Sequence, residues 1–276
     1  MSNTSSFKLG VAKPKYRSPL RKWLGKRYFI AKRQIQWWLG DTKYATYRTE
    51  NPLPHTVIEH QSTLLRKLKD VDMYLQHNKV INLQLALNRI NGIVIQPGET
   101  FSFWYLVGNT QKRKGYKEGL MLDNGRIKKG IGGGLCQMGN LIYWMALHTP
   151  LTITERWRHS YDVFPDVKRT LPFGSGATLS YNYVDLQIKN ETNQPFQLRL
   201  TITDTHLKGQ FLAQYPLTVQ YHIEERNHQM QGEVWGGYTR HNQIFRQTFD
   251  KNTEALLHEE LVTENHAIMM YQPFLE

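Results

Sequence analysis

Cysteine is nearly absent: one residue, Cys136, in a chain of 276. That excludes an intramolecular disulfide framework and a thiolate metal cluster within one chain, and it fits a reducing compartment. No run of 18 apolar residues occurs, so no membrane-spanning helix is expected. The start of the chain lacks an apolar stretch followed by a small-residue cleavage site, so no secretory signal is expected and a cytoplasmic location is. Acidic residues are missing from the first 40 positions, which carry ten Lys or Arg; the first acid is Asp41. The whole chain has a net charge of +12, which points to an anionic partner: nucleic acid, a membrane surface or an acidic metabolite. No RNP, zinc or helix-turn-helix pattern is present, so specific nucleic-acid binding is not expected. No metal and no cofactor are implied by the motifs. Forty per cent apolar residues and a mean hydropathy of −0.56 describe a soluble globular protein with an ample core.

Within the basic N-terminal segment a helical period emerges. Leu20, Trp23, Leu24, Tyr28, Ala31, Ile35 and Trp38 recur at steps of three and four and form one apolar stripe. Arg21, Lys22, Lys26, Lys32 and Arg33 lie largely off it, and Arg27 falls on it. A basic amphipathic helix with tryptophan on its apolar side suits an anionic membrane surface, here the inner face of the membrane. The same stripe equally suits packing against the protein's own body, because periodicity does not tell membrane from core.

After the Asn51-Pro52-Leu53-Pro54 break, Val57, Leu64, Leu68, Val71 and Leu75 predict a second helix. A third is predicted from about Val80 to Asn91, with Leu83, Leu87 and Ile90 inward and Gly92 as its stop. Ile93-Val94-Ile95 reads as a short buried strand ended by the Pro97-Gly98 turn, and Phe101-Ser102-Phe103-Trp104 as core. A hairpin is expected between Gly119 and Lys129 around Asn124-Gly125. Leu151 to Trp157 reads as a strand, and a strand at Val184, Leu186 and Ile188 is expected to pair with one at Phe196 to Ile202. Leu217, Val219, Tyr221 and Ile223 alternate again, and further short strands end near Tyr271. The expected class is α+β: a helical N-terminal half, a glycine–cysteine turn at a helix N-terminus, and an antiparallel C-terminal sheet. The expected divisions are 1–50, a basic tail and helix; 51–205, an α+β domain; and 206–276, a β-rich extension.

The stretch most informative about chemistry is Gly132-Gly133-Gly134-Leu135-Cys136-Gln137-Met138-Gly139-Asn140, followed by an apolar helical run. A glycine turn feeding a helix places unpaired N–H groups near the sulfur, and the positive end of a helix favours thiolate. The same groups, around Gly133, Gly134 and Gln137, offer an oxyanion site for acyl transfer. The plainer account is a small buried cysteine with glycines needed only for a tight turn. If the helix is continuous, His148 lies about 18 Å away at 1.5 Å per residue. A strand returning from Thr152 covers about 23 Å and brings His159 back to the level of Cys136. A Cys–His pair at hydrogen-bond reach is an activated nucleophile; otherwise His159 is a loop histidine satisfied by backbone. Arg156 and Arg158 fit a bidentate clamp on a substrate carboxylate or plain surface charge. Alternation puts them on one side of the strand and His159 on the other.

Residues 78 to 205 resemble the VanW family. The resemblance rests on Asn82 to Gly92, Pro97-Gly98-Glu99-Thr100-Phe101-Ser102-Phe103, Gly132-Gly133-Gly134-Leu135-Cys136-Gln137, Glu155-Arg156 with His159-Ser160, and Ala177-Thr178 with Asp185-Leu186. It implies an accessory role in vancomycin resistance and cell-wall peptidoglycan. Through secreted relatives reported as L,D-transpeptidases, it also implies a cysteine acyltransferase acting on peptidyl cell-wall substrates. The nucleophile would then be Cys136 and the base His159. Many relatives have Asp just before the Ala-Thr pair, where this chain has Gly176. The alternative is a non-catalytic protein that binds cell-wall precursors at the inner membrane face.

Overall fold

The structure, a computed structural model, describes residues 17–65, 72–123, 125–159, 161–163 and 171–273. Helix α1 (Pro19–Leu39) starts at Ser18, whose hydroxyl accepts from the Arg21 amide, with proline at the first helical position. Strand β1 (His55–Thr63) follows, then α2 (Met73–Ile90), β2 (Ile93–Ile95), β3 (Thr100–Ser102) and the short α3 (Phe103–Val107). Next come the hairpin β4 (Glu118–Asp123) and β5 (Arg126–Ile131), helix α4 (Cys136–Ala146), β6 (Thr152–Glu155) and β7 (Tyr161–Asp162). The chain ends in β8 (Gln187–Lys189), β9 (Phe196–Ile202), β10 (His206–Ala213) and three long strands, β11 (Val219–Gly232), β12 (Tyr238–Asp250) and β13 (Leu256–Met269).

Three sheets and the β4–β5 hairpin organise these elements. The first sheet has the order β1-β10-β9-β2, antiparallel throughout, and α4 packs on it: Leu141 and Met145 lie against Gly209 of β10. The second is β3-β8-β6. The third is β11-β12-β13-β7, in which only the two-residue β7 runs parallel to its neighbour. The core collects Leu83, Ala86 and Ile90 of α2, Phe101 and Phe103, Met138, Ile142 and Tyr143 of α4, and Phe196, Leu198 and Phe211 of the first sheet.

The protein is a mixed α+β protein, rich in sheet. Several expectations need correction. Among the described residues the N-terminal half holds five strands as well as its helices, so it is not predominantly helical. The helix expected after Pro54 is β1 where it can be described. Its Thr56, Val57, Ile58 and Thr63 are β-branched, stiff at χ1 and suited to a strand. Leu68 and Val71 of that expectation lie outside the described residues, and Leu75 belongs to α2. Helix α2 does bury Leu83, Leu87 and Ile90, and Gly92 beyond it takes φ +79°, as a C-terminal stop requires. β8 does not pair with β9: it lies between β3 and β6, while β9 joins β2 and β10. Asn190 diverts the chain, its amide nitrogen donating to the carbonyls of Ile95 and Gln194 and its oxygen accepting from Thr192. The last strands are long rather than short, 13 and 14 residues in β12 and β13. Of the Asn124-Gly125 turn only Gly125 is described, with φ +76°.

The expectation for α1 also needs correction at one residue. Arg33 is not solvated basic surface. Its guanidinium reaches Glu155 of β6 at 2.7 Å and Asp185 at 3.8 Å, and the Arg33 side chain is only 11 % exposed. Asp185 is fully buried and accepts from the Ser102 hydroxyl at 2.5 Å and the Trp104 amide at 3.0 Å. Burial pushes its carboxyl up to about 7, against the pull of those donors and of Arg33. Around this cluster Trp37 packs edge-on to Tyr105 and Tyr181, Phe29 meets Tyr183, and Asn182 donates to the Ile30 carbonyl.

Two outcomes follow for stability. Arg33→Ala removes the cation from buried Asp185 and half-buried Glu155 and is expected to lower the unfolding free energy by about 3 kcal/mol, read by denaturant titration. Asp185 holds a proton in the folded chain that the unfolded chain, with an ordinary value of about 4, has released. Its contribution is therefore complete below about pH 4 and is lost as pH rises through about 7. Asp185→Asn should flatten the fall in thermal midpoint between about pH 4 and pH 7; an unchanged slope contradicts the assignment.

Candidate functional site

The hairpin β4–β5 delivers the chain into the glycine turn, and α2 fixes that turn in place. Asn82, wholly buried on α2, donates through its amide nitrogen to the carbonyls of Lys117 (3.0 Å) and Gly133 (2.9 Å). Its oxygen accepts from the Lys117 amide at 2.8 Å. Gly133 lies so close to Gly119 that a Cβ on either would collide with the other's backbone. Gly134 has φ +92°, a conformation that side-chain-bearing residues rarely adopt. Both positions therefore require glycine for reasons of backbone geometry alone.

Cys136 is the first residue of α4 and is half-buried. The amides of Gly132, Gly133, Gln137, Met138 and Gly139 already donate to main-chain carbonyls of the turn and its neighbours. The Gln137 side chain donates to the Ser62 hydroxyl (2.9 Å) and the Thr63 carbonyl (2.8 Å), tying α4 to β1. The Cys136 thiol faces the Leu179 carbonyl, with sulfur and oxygen 3.8 Å apart. Burial pushes this thiol up, outweighing the hydrogen bonds that lower it. The direction is thus opposite to the expected depression: enclosure by protein opposes the charged form more than these hydrogen bonds favour it.

Leu179 belongs to an extended segment, 174–180, that runs between α4 and the chain 156–159. The Ala177 amide donates to Asn140 of α4 at 2.7 Å, and the Thr178 amide to the Trp157 carbonyl at 2.7 Å. A Cβ on Gly176 would come within 2.7 Å of the Asn140 side-chain oxygen. An aspartate at this position would therefore displace Asn140.

Arg156 is half-buried behind this segment. Its Nε donates to the Gly176 carbonyl at 2.8 Å, Nη1 to Thr263 of β13 at 3.4 Å, and Nη2 to the Gly174 carbonyl. The guanidinium lies 4.7 Å from the Tyr143 ring of α4. Arg158 donates to the His266 carbonyl of β13 at 2.9 Å. Both arginines thus brace 156–158 against β13, and Arg156 also braces α4 and the 174–176 backbone. β6 stops at Glu155, so strand alternation does not carry through to them.

His159 is half-buried, and burial together with the Arg156 cation lowers its pKa. Both effects favour the neutral imidazole. Among the described residues no hydrogen bond joins it to Cys136, whose partner is Leu179. His148, at the far end of α4, meets the Trp144 carbonyl at 2.9 Å and packs edge-on against the Trp144 ring.

Sequence reasoning found Cys136 and His159 but not the partners that define their surroundings. Asn82 and Asn140 stand inside the quoted motifs without an assigned role, and a buried asparagine beside a glycine turn was the available signal. The Leu179 carbonyl has no signature, since any residue supplies one. A second polar cluster was missed as well. His241 and His266 face each other at 2.7 Å across β12 and β13, and buried Asp162 meets Arg240 at 3.3 Å and the Tyr271 hydroxyl at 2.9 Å.

The thiol assignment is read from alkylation rate against pH. Cys136 is expected to titrate above the free-cysteine value of about 8.5. Leu179→Pro, which perturbs the segment presenting the acceptor carbonyl, should speed alkylation at pH 7. A midpoint well below that value would contradict the geometry.

Comparison with known proteins agrees with the motif pattern. A family model described as "VanW like protein" matches residues 78–212, from α2 to β10. The chain is 40 % identical over 195 residues to "Vancomycin B-type resistance protein VanW" of Enterococcus faecalis, covering 71 % of each chain. It is 35 % identical over 118 residues to "Uncharacterized protein YoaR" of Bacillus subtilis, covering 43 % of this chain and 37 % of that one. No solved structure matches it. The ordered motifs from Asn82 to Asp185, the family match across them and the 40 % identity over most of the chain place it in the VanW family.

Proposed function

We propose that this protein serves glycopeptide resistance by acting on peptidyl cell-wall material, with Cys136 as acyl acceptor and His159 as base. The resistance role is carried over from the E. faecalis relative's name. The observation that supports the chemical part is the setting of Cys136: the half-buried first residue of a helix, on a glycine turn that Asn82 holds in a single shape.

In this reading the sulfur attacks the carbonyl of a stem-peptide amide. The S–C bond forms, the C–N bond breaks, and the thiol proton passes through the imidazole to the departing amine. A second amine then attacks the thioester and regenerates the thiol. The raised thiol and lowered imidazole fit proton transfer during attack, not a resting thiolate–imidazolium pair. The reaction requires Cys136 to leave the Leu179 carbonyl and meet His159, and catalytic hydrogen bonds commonly tighten only once substrate is bound.

A second reading is favoured by a different observation. The thiol is already hydrogen-bonded to Leu179, and Arg156 spends its donors on the protein itself. A protein that binds wall precursors at the inner membrane face without cleaving them has no need of a free nucleophile.

Intact-mass analysis after incubation with a tetrapeptide-stem muropeptide separates the two. The proposal expects an acyl adduct on the native chain and none on Cys136→Ala, with His159→Ala slowing its formation by about a hundredfold or more. No adduct on the native chain, together with undiminished glycopeptide resistance in cells carrying Cys136→Ala, would leave only the binding reading.

A further inference from the structure

We propose that α1 rests on the surface of a bilayer containing anionic lipid, with the face bearing Leu20, Trp23, Leu24, Tyr28, Ile35 and Trp38 turned into it. One face of the helix is used by the protein itself. At about 100° per residue, Phe29, Ile30, Arg33 and Trp37 share one side. These are the residues that meet Tyr183, Asn182, Glu155, Asp185, Tyr105 and Tyr181. The apolar stripe lies on the other side, and no residue of α1 is fully buried. Trp23, Leu24 and Ile35 are 55, 52 and 54 % exposed, and Trp38 is 79 % exposed. Packing on the protein's own body, the competing account of this stripe, is thus supplied by a different set of residues.

Exposure alone does not choose an occupant; charge does. Arg17, Arg21, Lys22, Lys26, Arg27 and Lys32 are exposed on or beside the helix, and no acid occurs before Asp41. Arg27, which interrupts the stripe, lies 5.3 Å from the Trp23 ring. A long basic side chain on an apolar face can reach outward to lipid headgroups while its stem stays with the apolar residues. An aliphatic and aromatic face bordered by Arg21 and Lys32, interrupted by Arg27 and free of acids, complements a surface that is apolar below and negative at its rim. Twenty-one residues make a helix about 30 Å long, enough to lie along such a surface. Arg33 and Trp37 then fix how the rest of the protein stands above it.

Co-sedimentation of the full chain with vesicles tests this. One set contains phosphatidylglycerol in phosphatidylcholine, the other phosphatidylcholine alone. The expected result is binding to the first at low salt, release as salt rises, and little binding to the second. Leu24→Ser with Ile35→Ser should weaken binding by about tenfold or more. Both positions are more than half exposed, so the thermal midpoint of the double variant should stay close to that of the native chain. Equal recovery on both lipids, no binding at low salt, or undiminished binding by the double variant would overturn the proposal. Self-association abolished by the same substitutions, without vesicle binding, would assign the face to a second copy and overturn it as well.

Discussion

The segment 174–180 is the seam on which the centre of this protein depends. It is not a strand of any sheet, yet three successive residues join what lies on either side. Ala177 binds Asn140 of α4, Thr178 binds Trp157, and the Leu179 carbonyl takes the Cys136 thiol. Two of the three bonds have a main-chain amide as donor, and all three sit where an unpaired polar group would cost more than the bond itself contributes. Behind the seam, Arg156 collects the carbonyls of Gly174 and Gly176 and lies over Tyr143. Burial raises the Cys136 thiol, and the space above Gly176 belongs to Asn140.

The outer elements attach to this centre through charge. Arg33 reaches from α1 to Glu155 and Asp185, so a helix with no fully buried residue is still tied to the core. From the other side, β13 receives Arg156 and Arg158 through Thr263 and His266 and pairs with β7 just beyond His159. The family match ends at residue 212, within β10, so the long C-terminal sheet lies beyond it. That sheet nonetheless braces the segment carrying the candidate base. The first sheet likewise takes β1 and β10 from either side of the intervening helices.

What the sequence revealed and what it hid divide along physical lines. Periodicity located α1, the inward face of α2 and the alternation of β11, because each buries or frees one face by a local rule. The glycine–cysteine stretch and His159 stood out by residue type. The helix predicted from Val57 and Leu64 failed because spacing alone outweighed the β-branched residues between them. The β8–β9 pairing failed because adjacency favours hairpins, whereas Asn190 sends the two strands to different sheets. Arg33 looked like one more surface cation, and only tertiary structure brings Asp185 and Glu155 to it. The thiol's environment was misjudged for the same reason. A helix end is visible in sequence, but the burial that raises the thiol is made by the fold, and its hydrogen-bond partner, Leu179, is 43 residues away.

The account stands on the seam being formed in the free protein. Amide hydrogen exchange at Ala177 and Thr178 tests that most directly. Both amides are bonded, one to Asn140 and one to Trp157, and should exchange only through openings nearly as rare as those of the buried core. Exchange at the rate of an open loop in the unliganded chain would contradict it: the thiol would then have no fixed partner in Leu179, and Asn140 none in Ala177.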